Sequence, residues 1–295
     1  MGKMVLNKLP APTFRYIGVN FTEREAEPAK QAEIIASGRA EPVRIERNTE
    51  ESAEYNLTVN AVERLDVYIY STAGGFCDIK ADIMAGGELT LIQVFEKSAS
   101  NISRVKANIG DSGAFKSVVL VIDAQDTVCE VDTKLSGRGA RFECDTGFVL
   151  DRDSRADINV IATHTGKKTV SEITARGVLS GRAEKIFKGT IDFKKGAKGS
   201  KGTESEETLL LNDEVRNRTV PLILCAEEQV EGSHGASIGR LDGKSVFYMR
   251  SRGIPEEKIY RLLANAKIEQ ILRKTDDSQT AERVRRAISG GEEDE

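Results

Sequence analysis

A thiol, several carboxylates and an imidazole lie within ten residues of one another in the last third of the chain. They belong to Cys225, Glu227, Glu228 and His234, a plausible ligand set for a borderline-soft metal ion. Glycines at positions 232, 235 and 239 frame the histidine and allow the backbone to turn sharply. The spacing predicts a metal site here, although a single histidine among glycines would ordinarily be a turn residue.

The orientation of Cys225 decides whether its thiol can serve as a ligand. Cys225 ends the apolar run Leu222-Ile223-Leu224 and is soon followed by two glutamates, which favours a position near the surface. Alternate side chains of a strand share a face, so an inward Cys225 would carry Glu227 inward with it. A buried carboxylate needs a partner, and this cost favours an outward thiol. A buried strand cysteine stays the alternative.

The other cysteines and the second histidine are in phase with apolar neighbours. Cys77, Cys129 and Cys144 alternate with aliphatic residues, and none of the four cysteines forms a CxxC pair of the kind found in zinc ribbons. We therefore expect these three to pack in the core. His164 is in phase with Val160 and Ala162, which indicates a structural role.

These residues must be positioned by strands, because positions 40 to 225 alternate between apolar and polar side chains with a period of two. Cys77, Ile79 and Ala81 fall on one face, for example, and Asp78 and Lys80 on the other. Short glycine-containing breaks separate the runs without intervening helical patterns, which argues against a doubly wound α/β sheet. The turn spacing is compatible with coils of roughly 20 residues. The pattern predicts a mainly β protein and leaves a sandwich, a barrel and a solenoid open.

The two ends of the chain lack the alternating apolar and polar pattern of the middle. Residues 1–36 are rich in proline and charge, which predicts a solvated N-terminal arm. From Val246 the spacing is helical, with Gly253 ending one helix and Pro255 beginning the next. The stripe that includes Ile259 and Leu263 is expected to pack, at least in part, on the body of the protein.

The bulk composition excludes several classes of protein. The 295 residues carry a net charge of -4 with interspersed signs, whereas a nucleic-acid-binding protein normally carries a basic stripe. No apolar run is long enough to span a membrane, and the first residues lack the apolar region of a secretory signal. We therefore expect a cytoplasmic protein that binds neither nucleic acid nor membrane.

Two runs of sequence resemble the C-terminal signature of the SufB/SufD family, the scaffold subunits of the SUF iron–sulfur cluster assembly machinery. They are Ser233-His-Gly-Ala-Ser-Ile-Gly-Arg-Leu-Asp242 and Val246-Phe-Tyr-Met-Arg-Ser-Arg-Gly-Ile254. Upstream, Phe187-Lys-Gly-Thr-Ile191 and Pro221-Leu-Ile-Leu224 are similar to the last core strands of the family, in the right order. The resemblance covers roughly residues 60–275, with its densest part at 221–260.

The resemblance implies a mainly β fold with a right-handed parallel β-helix core and a C-terminal helical domain. On this basis residues 1–40 form the N-terminal arm, 41–240 the β-helix, and 241–295 the helical domain, which would dock a SufC-like ABC ATPase. The late coils would form a dimer with a second copy or with a SufB-like homologue. The implied function is a non-enzymatic scaffold for a transient iron–sulfur cluster.

The resemblance also bears on individual site residues. His234 matches a family histidine implicated in cluster assembly, whereas Gly232 and Val215 stand where many relatives carry cysteines. Cys225, with Glu227 and Glu228 beside it, is then the thiol available to complete a site with His234.

Two alternative functions follow from the same residues. In the first, the chain is a structural SufD-like partner whose SufB-like mate supplies most ligands. A β-helix enzyme acting on polysaccharide is the remoter alternative, since Asp151 and Asp153 could form a carboxylate pair but are adequately explained as a polar turn.

Overall fold

The computed structural model describes residues 2–11, 18–96 and 100–289, and most of these residues form two parallel eight-stranded sheets. Each coil of the chain contributes one strand to each sheet and stacks on the coil before it. The predicted parallel β-helix is therefore confirmed, and the sandwich and the barrel are excluded.

The strands of the first sheet, called the odd sheet below, are β3 (Ala32–Ala36), β5 (Ala53–Val59), β7 (Gly75–Ile83), β9 (Ser100–Ile109), β11 (Asp126–Leu135), β13 (Arg155–His164), β15 (Glu184–Phe193) and β17 (Arg216–Cys225). The strands of the second, the even sheet, are β4 (Val43–Arg47), β6 (Arg64–Ser71), β8 (Glu88–Glu96), β10 (Ala114–Ile122), β12 (Arg141–Leu150), β14 (Val170–Leu179), β16 (Lys201–Leu210) and β18 (Glu231–Arg240). A separate antiparallel pair, β1 (Gly2–Leu6) and β2 (Thr22–Ala26), precedes them.

The core lies between the two sheets and is built from columns of residues in register. One column of the odd sheet consists of Ile79, Val105, Val131 and Val160, which pair in that order on successive strands. All four are fully buried. The period of two in the sequence thus reports the inward face of each strand, because neighbouring parallel strands in register present the same face to the interior.

Three helices follow the last strand, namely α1 (Gly243–Ser251), α2 (Glu256–Leu272) and α3 (Ser278–Ile288). Helices α2 and α3 pack on the outer face of the even sheet, where Ile268 and Ile271 lie over Leu120. A β-carbon at Gly147 would collide with these same side chains, so this glycine allows the close approach of helix and sheet. The expected packing of the apolar stripe is confirmed, while the boundaries of a separate helical domain stay a prediction.

The N-terminal pair β1–β2 covers part of the outer face of the odd sheet. Leu6 is buried against Phe76 and Ile102, and the buried Asn7 donates from Nδ2 to a carboxylate oxygen of Asp157 at 2.8 Å. The expectation of a solvated arm is wrong for this segment, because Leu6 and Asn7 are anchored to the sheet. Sequence periodicity missed this contact because the prolines and charged residues of the arm interrupt any regular alternation of its apolar residues.

Candidate functional site

The last coil, β17 and β18, forms the open end of the solenoid and carries the predicted ligands. Cys225 pairs in register with Phe193, a core residue, and His234 pairs with Glu204, which is buried on the inward face of β16. Both Cys225 and His234 therefore belong to the inward face of a coil that no further coil covers in the described structure. Both are exposed.

The register corrects the expected outward orientation of Cys225, while its position near the surface is confirmed. Strand β17 ends at Cys225, so the alternation does not continue to Glu227. Glu227 instead lies in the following turn, where its carboxylate accepts a hydrogen bond from the backbone amide of Gly196 at 3.0 Å. The inward position of Cys225 therefore does not bury this carboxylate.

Of the two glutamates after Cys225, Glu227 is hydrogen-bonded to backbone amides and Glu228 is exposed. The backbone amides of Gly196 and Glu228 donate to Glu227, and these hydrogen bonds, the one from Gly196 foremost, lower the pKa of its carboxyl. Glu228 is exposed. The thiol of Cys225 donates to the backbone oxygen of Glu227 at 3.1 Å. The Cys225 thiol is thus hydrogen-bonded to the backbone of the turn that follows it, while the Glu227 carboxylate accepts hydrogen bonds from backbone amides.

Cys225 and His234 share the open end but lie well apart along it. Gly232 faces Ile223 across the interior, since a β-carbon on Gly232 would meet the Ile223 side chain. Strands β17 and β18 run in opposite directions across the coil. Cys225 lies two residues beyond Ile223 on one side of this facing pair, and His234 lies two residues beyond Gly232 on the other side. At about 3.3 Å per residue, the offset is about 13 Å along the strands.

No group of three or more His, Cys, Asp or Glu side chains in residues 2–11, 18–96 and 100–289 lies close enough together to hold a metal ion. A single copy of the chain consequently does not bring Cys225, Glu227, Glu228 and His234 into one ligand set. The assignment of these residues to a cluster stays a prediction.

A layer of buried charge lies directly beneath the last coil, and sequence reasoning missed it. Lys185 on β15 forms an ion pair with Glu206 on β16, and both side chains are almost completely buried. Glu206 also accepts a hydrogen bond from Thr208 at 2.7 Å. The ammonium of Lys185 lies 5.1 Å from the ring centroid of Phe148, and burial lowers its pKa.

Glu204 is the second carboxylate of this layer. It is only 4% exposed, and its Oε2 has no hydrogen-bond partner within the described part of the chain. Burial, followed by the nearby charge of Glu206, raises the pKa of Glu204 to about 8. The signal in the sequence is that positions 204, 206 and 208 are polar although they are in phase with the core residue Leu210.

The remaining candidates have the structural roles predicted for them. The His164 ring is buried, with its Nδ1 2.7 Å from the hydroxyl of Thr169 and its Nε2 2.9 Å from that of Ser171. Burial lowers the pKa of His164 to about 4, so the ring is neutral. Cys77, Cys129 and Cys144 are buried, and burial raises the pKa of each thiol.

Helix α1 begins directly after the last coil and projects from the body. Asp242 caps it by accepting a hydrogen bond from the backbone amide of Lys244 at 3.2 Å. All nine residues of α1 are described and none is buried. Phe247 is 75% exposed and Tyr248 58%, so two aromatic side chains of α1 face solvent.

These features define a class, namely a parallel β-solenoid whose open end carries a thiol and an imidazole and leads into an exposed helix. Comparison with known proteins specifies the family. The model described as "SUF system FeS cluster assembly, SufBD core domain" matches residues 37–267, and the chain therefore belongs to the SufB/SufD family.

Several curated proteins are similar to the chain. The iron–sulfur cluster assembly protein SufD of Bacillus subtilis is 31% identical over 138 residues, which cover 47% of this chain and 32% of that protein. A SufBD family protein of Mycobacterium leprae is 23% identical over 237 residues, or 77% of this chain and 60% of the relative. The chain thus spans between about a third and three fifths of the length of these relatives.

Family membership supports a role in iron–sulfur cluster assembly. A chloroplastic SufBD family protein of Arabidopsis thaliana is also similar, at 23% identity over 183 residues, or 62% of this chain and 30% of that protein.

Within the described residues, none of the helices has the length and apolar character needed to cross a bilayer.

Proposed function

We propose that the chain is a non-enzymatic scaffold component of a SUF-type complex that helps to hold a nascent iron–sulfur cluster. The observation that carries the proposal is the exposure of Cys225 and His234 on the inward face of the uncovered last coil. A thiolate is the natural ligand of such a cluster, and an imidazole can replace a thiolate on one iron. Incomplete cysteine ligation suits a protein that must release its cluster, here in the cytoplasm.

A second chain completes the site in this proposal. The offset of about 13 Å between Cys225 and His234 along the strands is too large for both to bind the same small cluster within one copy. The last strands of both sheets, β17 and β18, each have an unpaired edge in the described structure. Such edges readily pair with another chain, and we assign the partner as a second copy or a SufB-like homologue.

Reconstitution with iron and sulfide under anaerobic conditions tests the site. The wild-type protein should develop the visible absorption of a cluster, and a Cys225→Ala/His234→Ala variant should lose most of it. Cys77→Ala is the matched control, because it removes a thiol that is fully buried in the core. Identical spectra for wild type and the double variant would overturn the assignment.

The exposed helix α1 supports a docking role for residues around 245–275, with a SufC-like ABC ATPase as the partner. Aromatic side chains are enriched where proteins bind one another, and Phe247 and Tyr248 are not committed to the body of this chain. Closure of the ATPase pair could then act on the neighbouring last coil. A Phe247→Ala/Tyr248→Ala variant should lose at least tenfold in affinity for the ATPase.

The matched control for docking is Ile34→Ala, since Ile34 is also 75% exposed but lies on β3 at the opposite end of the solenoid. This variant should bind the ATPase like the wild type. Equal losses for both variants, or none for the aromatic pair, would contradict the assignment of the docking surface to α1.

A structural SufD-like role is the second candidate, favoured by the wide separation of Cys225 and His234 in one copy. In that case a SufB-like homologue supplies most of the ligands. The mass of the complex formed with the ATPase distinguishes the two, because a core of two identical chains supports the first role and an obligatory mixed core the second.

A further inference from the structure

We propose that Glu204 is a second protein ligand, beside His234, for ferrous iron that reaches the open end of the solenoid. The inference rests on the proposed function, since it concerns the same exposed coil. The inference adds Glu204, which belongs to the coil beneath, to the candidate ligands of the last coil. The metal here is cargo to be built into a cluster.

The register brings the two side chains together. His234 on β18 and Glu204 on β16 are direct partners on adjacent parallel strands, and both belong to the inward face. Adjacent strands lie about 4.8 Å apart, so side chains at paired positions are neighbours. A glutamate carboxylate on the lower strand can therefore contact an ion bound to the imidazole of the upper one.

The Glu204 carboxylate has free binding capacity. Its Oε2 is buried and has no partner in the described residues, although buried polar atoms are nearly always hydrogen-bonded. A carboxylate oxygen in this position is costly unless something binds it. The solenoid interior below is closed by core side chains, whereas the last coil above is open to solvent. The side of His234 is therefore the side from which an ion in solution can reach this oxygen.

The structure distinguishes Glu204 from the other carboxylate of the layer. Glu206 binds Lys185 and Thr208 through Oε1, although its Oε2, like that of Glu204, has no hydrogen-bond partner within the described residues. Its register partner on β18 is Ala236, which offers no ligand atom. Glu204 faces Gly189 across the interior, and the absence of a side chain there leaves room for its carboxylate. Only Glu204 therefore combines an uncommitted oxygen with an imidazole in register.

The pair has the chemistry expected for ferrous iron. Imidazole suits iron, and a carboxylate beside it completes a mixed nitrogen and oxygen set of the type found in non-haem iron sites. Two protein ligands leave most coordination positions of the ion open. Sulfide, water or a group from a partner chain can occupy them, as delivery to a growing cluster requires.

Anaerobic equilibrium dialysis of the full chain against ferrous iron tests the inference, with X-ray absorption at the iron edge as a second measurement. Glu204→Gln keeps the shape of the side chain and removes the carboxyl group that iron would bind after displacing its proton, and we expect iron to bind at least about tenfold more weakly. His234→Ala should weaken binding at least as much and remove the imidazole contribution from the absorption spectrum. Glu231→Gln, at an exposed carboxylate on the same strand as His234, should bind iron like the wild type.

The outcomes separate this inference from the proposed function. If His234→Ala weakens iron binding and Glu204→Gln does not, Glu204 is no ligand and the proposed function stands. If neither variant changes iron binding, the inference fails, and reconstitution of the Cys225→Ala/His234→Ala variant decides the proposed function separately. Should Glu204→Gln not fold, as judged by thermal unfolding, Glu204→Asp replaces it. Glu204→Asp keeps the carboxyl group but shortens the side chain by one methylene, so an unchanged affinity for iron would equally overturn the inference.

Discussion

The carboxylate of Glu204 occupies the space in which the β-carbon of any residue other than glycine would lie at position 189. Gly189 continues the aliphatic column that runs through Val131 and Val160. An aliphatic side chain would fill the core there as it does in the earlier coils. The glycine instead leaves its space to the Glu204 carboxyl group from the opposite sheet, directly beneath the candidate site.

Substitution at this contact should reveal the steric coupling. Gly189→Ala should lower the free energy of unfolding by about 1 to 3 kcal/mol, because the added methyl group collides with the Glu204 carboxylate. The same substitution in a Glu204→Ala background should cost much less, since the carboxylate is gone. Urea unfolding of the four proteins of this cycle measures the coupling.

Gly235→Ala is the control for this cycle, because a β-carbon at Gly235 would meet no atom within 4 Å in the described structure. It should change stability little in either background. Additive effects of the Gly189 and Glu204 substitutions would contradict the contact.

Removing one partner of the buried ion pair between Lys185 and Glu206 should destabilise the protein strongly, whereas replacing both partners with apolar residues should change its stability little. Lys185→Met leaves Glu206 without its cation in the interior, so we expect a loss of about 3–5 kcal/mol in the free energy of unfolding. The double variant Lys185→Met/Glu206→Leu should recover most of this loss, because it removes both charges. Chemical denaturation at neutral pH makes the comparison.

An exposed ion pair serves as the reference. Lys201 and Glu231 lie 2.8 Å apart at the surface, and Lys201→Met should cost less than about 1 kcal/mol. If Lys185→Met cost no more than Lys201→Met, the buried pair would not have the energetic role assigned to it.

Stability should fall with acid through His164. Its pKa of about 4 in the folded chain lies below the ordinary histidine value, so at intermediate pH the unfolded chain binds more protons than the folded one. The contribution of the neutral ring is therefore complete above about pH 6.5, the ordinary pKa of histidine, and is lost as the pH falls toward 4. The full loss is about 3 kcal/mol.

His164→Gln, which cannot titrate, should show a shallower decline in unfolding free energy between pH 6.5 and 4 than the wild type does. Since all other acids and bases are common to both proteins, the difference between the two pH profiles isolates His164. Parallel profiles would show that this ring does not titrate as its burial implies.

The N-terminal pair β1–β2 should detach more easily once its anchor is removed. Thr22 donates a buried hydrogen bond to Asp157, whose carboxylate also binds Lys188 at 3.0 Å. Thr22→Val keeps the side-chain shape and removes the donor. Hydrogen exchange should then accelerate at the amides of residues 2–6 and 22–26, while the coils stay protected.

Lys3→Ala provides the comparison for this segment, because it breaks only the exposed ion pair with Glu23. Exchange in β1 and β2 should change little. Equal acceleration in both variants would mean that the buried anchor contributes no more than a surface contact.

Much of the architecture could be predicted from the sequence because strand alternation depends on local burial. The inward positions of Cys77, Ile79 and Ala81 follow directly from the period of two. The same alternation occurs in sandwiches, barrels and solenoids, however, since it reports one buried face and not which strand lies beside it. The resemblance around His234, rather than periodicity, pointed to the parallel β-helix.

Sequence alone thus determined the strands and the turns, and it suggested the two residues of the proposed cluster-binding role, Cys225 and His234, because these depend on local pattern and residue type. The tertiary structure decided how they lie. The register with Phe193 places Cys225 on the inward face, and the end of strand β17 at this residue leaves Glu227 unburied. Stacking of the coils sets His234 above Glu204 and away from Cys225. These relationships join residues of different coils, and only the register of the stacked strands specifies them.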